Sequence, residues 1–236
     1  TALRREFPQF AAYILAAAAA IYPPPRELVE PSASDGPGSA ADSAPTDPIP
    51  LSSQTHEGLM AEMTRMAERV VATFPEDPTA YDLQGRVYAY LGKSTEAARA
   101  WERCLQLDPR RPDACNGLAK LAIKRGDDAA AEPLLRTALE IDATLPEVVH
   151  QLADLLSRSG RAEEAVTVLE RYVQQVPTAT DGLLALAQTQ LQLGVFDKAQ
   201  QNFEAVITLR PTSHEAHLGL GTALLRQGQR EGSRKY

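Results

Sequence analysis

The sequence predicts an all-α protein built as a solenoid of helix–turn–helix units. Three observations lead there. Glycine recurs at Gly92, Gly126, Gly160, Gly194 and Gly228, each 34 residues after the last. Small and large apolar residues recur in fixed registers around each glycine, at helical spacings of four. Helix stoppers recur seventeen residues after it, at Pro109, Pro177 and Pro211, with Ala143 as the exception. A period of 34 residues marks a helix pair that stacks on copies of itself. Such a stack grows by repetition, and its function lies on its surfaces.

Each register has a physical reason. The glycine ends the first helix of a pair, where the turn needs a positive φ that only glycine adopts without strain. Five residues later stand Ala97, Ala131, Ala165 and Ala199. Nine later stand Trp101, Leu135, Leu169 and Phe203, and thirteen later Leu105, Leu139, Val173 and Ile207. These share one face of the second helix. Before the glycine, Leu118, Leu152, Leu186 and Leu220 are followed by small residues, Ala119, Ala153, Ala187 and Gly221. The small residues admit a close neighbour, and the large ones fill the space between pairs.

At these residues the chain resembles the tetratricopeptide repeat (TPR) family. Tyr81, Gly85, Tyr88, Ala97, Trp101 and Pro109 follow its pattern, while Gln84, Cys104 and Ala143 depart from it. The resemblance runs from Pro78 to about Gln229. It implies a right-handed α-solenoid whose first helices line a concave, partner-binding face.

In chain order, residues 1–22 hold an apolar stretch. Phe10 to Tyr22 is a continuous apolar run of 13 residues after Arg4 and Arg5 and before Pro23, Pro24 and Pro25. Basic start, apolar middle and small residues look like a secretory signal. At about 1.5 Å per residue the run spans roughly 20 Å, short of a hydrocarbon core of about 30 Å. Three readings are open: an uncleaved signal-anchor helped by Phe7, a helix docked among membrane subunits, and a soluble helix packed on the solenoid. The favoured anchor, through residues 7–22, places the repeats on the exported (periplasmic or extracytoplasmic) side. The alternative is a cytoplasmic protein.

Residues 23–55 hold eight prolines, six serines and no aromatic residue, the composition of an extended linker. Residues 56–77 are expected to form a capping helix. Four repeats follow at 78–111, 112–145, 146–179 and 180–213, then a partial fifth at 214–236. Leu218, Leu220, Leu224 and Leu225 of that partial repeat need a neighbour. The expected reason is a truncated chain or a partner covering this end.

Net charge is −7. Residues 1–55 carry three basic and six acidic side chains, and the rest of the chain is equally mixed. There is no basic patch of the kind nucleic acid requires. Cys104 and Cys115 fall at packing positions, read either as buried free thiols or as a disulfide in an exported domain. No Cys or His set has metal-ligand spacing, and no cofactor is expected. No catalytic motif is present. Gly92-Lys93-Ser94 mimics a phosphate-binding loop, but Val87 stands where that loop needs glycine, and a helix precedes it. The expected function is non-catalytic.

The candidate partner-binding residues come from the first helices. Ten before each glycine stand Asp82, Asn116, His150, Leu184 and Leu218. Six before stand Arg86, Lys120, Asp154, Gln188 and Thr222. Two before stand Tyr90, Lys124, Arg158, Gln192 and Arg226. The bet falls on Asp82, Arg86, Tyr90, Asn116, Lys120, Lys124, His150, Asp154, Arg158, Leu184, Gln188 and Gln192. Asp82 stands where a carboxylate clamp of this family wants lysine, which argues against chaperone-tail recognition. The rows grade from charged to apolar, so a segment with an acidic part and an apolar part would suit them. Asp113, Glu147, Asp181 and Glu215 lie in first turns, where acids complement the helix dipole.

The expected role is a membrane-tethered accessory subunit that stabilises or assembles a larger complex. The alternative is a free adapter that binds peptide segments in the groove.

Overall fold

The computed structural model describes residues 56–228. The apolar run at 10–22, the linker at 23–55 and residues 229–236 lie outside the described residues. The described part holds ten α-helices and no strand. Helix α1 is His56–Thr73. Four antiparallel pairs follow: α2 Pro78–Tyr90 with α3 Ser94–Leu107, α4 Pro112–Lys124 with α5 Asp128–Ile141, α6 Pro146–Arg158 with α7 Ala162–Gln175, and α8 Thr180–Gln192 with α9 Phe196–Leu209. Helix α10, His214–Arg226, closes the series.

Local chemistry sets the helix ends. Pro78, Pro112 and Pro146 occupy the first turns of α2, α4 and α6, where a missing N–H costs nothing. Asp77 accepts from Thr79 N at 2.8 Å, and Asp127 from Ala130 N at 3.0 Å, capping α2 and α5. The five periodic glycines have φ between 73° and 80°. At the first of these turns Lys93 N donates to Tyr88 O (2.8 Å) and Gly92 N to Ala89 O (3.1 Å), a Schellman closure. The backbone N–H groups of Asp127, Arg161 and Val195 repeat the Lys93 bond, five residues back, at 2.8–2.9 Å.

The core is the predicted register made solid. Ala97, Ala131, Ala165 and Ala199 are fully buried, as are Leu135, Leu169 and Phe203. Three glycines serve two of the aromatic residues. Trp101 lies between Gly85 and Gly117, where an added Cβ would fall 2.6 Å and 2.5 Å from the indole. A Cβ on Gly219 would likewise collide with the Phe203 ring. Where the second helix carries Leu135 or Leu169 instead, the matching positions of the next repeat hold Gln151 and Ala185. Large on one helix is thus answered by nothing at all on the next.

Cys104 and Cys115 are free buried thiols, so the structure takes the first of the two readings given above. Burial pushes Cys104 up to about 11 and Cys115 in the same direction. Among the described residues no helix is long and apolar enough to cross a membrane.

Candidate functional site

Successive first helices lie side by side, α2 on α4, α6 on α8 and α8 on α10. Residues six before one glycine therefore meet residues in the first turn of the next repeat. Arg86 Nη2 reaches Asp113 Oδ2 at 3.2 Å, and Lys120 Nζ reaches Glu147 Oε1 at 2.8 Å. Asn116 Nδ2 donates to the other Glu147 oxygen at 3.2 Å. The Lys120 bond holds the Glu147 carboxyl below its ordinary range. Two rungs of a charge ladder thus join α2 to α4 and α4 to α6.

The ladder stops at the next junction. Its two positions are Asp154 and Asp181, both acids and both exposed. Each turns to a different cation. Asp154 pairs with Arg158 in its own helix (3.0 Å), and Arg158 also reaches Asp128 at 3.6 Å. Asp181 pairs with Arg210 at 3.3 Å, whose guanidinium also donates to Thr180 at 2.6 Å.

Asp82 differs from its expected role as an exposed groove residue. It is 3% exposed. One oxygen accepts from Trp101 Nε1 at 3.1 Å, and the other accepts from the Arg86 guanidinium, whose Nε lies 3.0 Å away. That carboxylate pushes Arg86 further up in pKa. Asp82 satisfies a buried indole, which otherwise loses a hydrogen bond. His150 donates from Nδ1 to Pro146 O at 2.6 Å within its own helix.

The remaining candidates divide. Tyr90, Lys124, Gln188 and Gln192 are exposed, and Leu184 is half-buried against the α8–α10 core. The structure adds Asp113 and Glu147 to this face, residues read from sequence as helix-dipole partners only. It also adds Leu225, three before the last glycine and 54% exposed. The signal for Asp113 and Glu147 was their spacing of 27 residues from Arg86 and Lys120, across helices, which a single helical wheel does not display. Leu225 shares a helix with Leu218 and stood with it among the leucines that need a neighbour.

On the second helices, Glu132, Arg136, Arg161 and Glu164 form a closed network between α5 and α7, with contacts of 2.6–3.0 Å. The Arg161 hydrogen bonds pull Glu164 down to about 2 and lower Glu132 as well. This network fastens neighbouring pairs.

Two family models, both described as tetratricopeptide repeat, match the chain, one over residues 83–146 and 184–236 and one over 126–191. Together they run without a gap over well more than half of it. No curated protein matches the chain. Among solved structures it is similar to YrrB, described as a TPR protein with an unusual peptide-binding site. That likeness has 18% identity, 72% of this chain, 87% of that one and a TM-score of 0.62. A MamA structure matches at 24% identity, covering 69% of this chain and 89% of its own, with a TM-score of 0.61. Pseudomonas aeruginosa pilF matches at 22% identity over 72% of this chain and 75% of that one, TM-score 0.55. At these identities the likeness shows the fold. Repeats of this kind are generally non-catalytic modules through which proteins bind proteins. On its period, its glycine turns and both model matches, the chain belongs to the tetratricopeptide repeat family.

Proposed function

We propose that this protein is a non-catalytic interaction scaffold, an accessory subunit that holds or assembles a larger membrane complex. The observation that carries it is the two-part face of the first helices. In α2, α4 and α6 that face is polar and cross-linked; α8 shows Gln188 and Gln192 beside half-buried Leu184, and α10 opens onto exposed leucines, with Leu218 74% exposed. An open apolar face on a stacked repeat suits a lasting protein contact. Tethering rests on residues 7–22, whose apolar run follows Arg4 and Arg5. In this reading Tyr90, Lys120, Lys124, Arg158, Gln188 and Gln192 meet the partner, and Asp82 supports them from beneath.

Gentle detergent purification from the native source, with mass spectrometry of what co-migrates, tests it. Stoichiometric membrane subunits are expected. A lone species that stays soluble without detergent would overturn the reading.

The second reading is a free adapter that captures peptide segments reversibly. Its support is the likeness to YrrB. Under it, Lys120→Glu with Arg158→Glu abolishes peptide binding; unchanged binding would place the peptide elsewhere.

A further inference from the structure

Helix α10 carries four exposed side chains on one stripe that no other described residue covers. Leu218 and Leu225 are 74% and 54% exposed. Glu215 lies in its first turn and Arg226 in its last, both exposed, and neither forms an ion pair among the described residues. With 3.6 residues per turn, positions 215, 218, 222, 225 and 226 fall within roughly 100° of arc. They make a single face, not a scatter.

The order along that face is acid, leucine, leucine, base. At about 1.5 Å per residue, Leu218 and Leu225 stand about 10 Å apart, and Glu215 and Arg226 about 16 Å. Both spans are centred within a residue of Gly221. The face therefore reads the same in both directions, except that the charges change sign. A second α10 laid antiparallel sets Leu218 of one copy over Leu225 of the other. It also sets Glu215 of each beside Arg226 of its mate. A parallel arrangement would oppose acid to acid. Gly221 and Thr222 at the centre leave room for close approach of the two helices.

We propose that this face pairs two copies of the chain about a two-fold axis, α10 against α10. A two-fold interface must be self-complementary, and this stripe is so in both shape and charge. Leu184 and Leu191 of the adjoining α8 extend the apolar lane, half-buried beside it. Both antiparallel ion pairs also match the helix dipoles, acid at each N-terminus and base at each C-terminus. The pairing uses none of the ladder residues, but it claims the same exposed Leu218 that the scaffold reading offers to a partner.

Sedimentation velocity of the full chain in mild detergent, across micromolar concentrations, tests it. A reversible dimer is expected. Glu215→Arg alone and Arg226→Glu alone should each weaken it by about tenfold, as loss of close interfacial charge pairs does. The double change, with both charges exchanged, should restore it. Leu218→Glu with Leu225→Glu should leave a monomer of unchanged helicity by circular dichroism. Three results would overturn the proposal: a monomer at every concentration, a dimer indifferent to the leucine change, or a double exchange no tighter than the weaker single. If the charge exchange restores pairing while no membrane subunit co-purifies, the dimer stands and the scaffold reading falls.

Discussion

The junction of the first two repeats and the junction at α10 are built on the same core device and finished with opposite surfaces. At both, an aromatic ring of the second helix seats on a glycine of the next first helix: Trp101 on Gly117, Phe203 on Gly219. Above Trp101 lies a chain of charge, Asp82 to Arg86 to Asp113. On the helix of the other seat, Leu218 and Leu225 stand exposed. Stacking and recognition are therefore separable. The ring and its glycine fix how one pair sits on another, and the outer rows are free to specify what the face meets.

Removing the rings should have the largest effect. Trp101→Ala and Phe203→Ala should each cost about 3–5 kcal/mol in denaturant unfolding. The tryptophan change should be the larger, because it also strips Asp82 of a buried donor. Equal losses would mean that the carboxylate adds nothing to the seat.

Next in size are the glycines. Gly117→Ala should cost about 1–3 kcal/mol through overpacking against the indole. Combining it with Trp101→Leu recreates the leucine–alanine pairing that Leu169 and Ala185 already use. That double variant should be more stable than the sum of its parts. Strict additivity in thermal unfolding would show that ring and glycine are not partners.

Asp82→Ala should cost about 1–3 kcal/mol by leaving the indole N–H unsatisfied. Asp82→Asn keeps an acceptor for that N–H and should lose less. The test is a stability comparison of the two variants. If asparagine were as damaging as alanine, the ion pair to Arg86, not the indole, would be the important bond.

The smallest effects belong to the exposed rungs. Lys120→Met should change stability by under about 1 kcal/mol, since exposed pairs contribute little. The acid limb is more telling. Glu147, Glu132 and Glu164 all titrate below their ordinary 4.5, with Glu164 at about 2. A carboxyl lowered by folding adds stability above its unfolded value and loses it as pH falls through the folded one. Stability should thus decline from about pH 4.5 down to about 2. Glu132→Gln with Glu164→Gln should flatten that decline. An unchanged acid limb would place the sensitive groups elsewhere.

Much of this was legible beforehand, for reasons tied to particular residues. Gly92 and its four successors announce both the helix ends and the period, because positive φ has a near-unique residue requirement. Ala97 and Trp101 announce the packing face by their spacing. What stayed hidden depends on neighbours far apart in sequence. Asp82 reads as a groove charge on its own helix, and only the indole of Trp101, nineteen residues on, turns it into an internal ligand. Asp113 and Glu147 look like dipole partners until the adjacent helix brings Arg86 and Lys120 alongside. The pairing of aromatic with glycine across repeats was present in the letters all along, at Trp101 with Gly117 and Phe203 with Gly219. It emerges only when one repeat is compared with the next.

Trp101 is the sole tryptophan of the chain. Its indole, sandwiched by glycines and tied to a carboxylate, is a built-in optical gauge at one end of the stack. Emission excited in this ring reports the opening of a single junction, while circular dichroism reports every helix at once. In a linear array each unit touches only its neighbours, so the two signals should part company when the array frays from that end. The protein carries its own means of revealing where its unfolding begins.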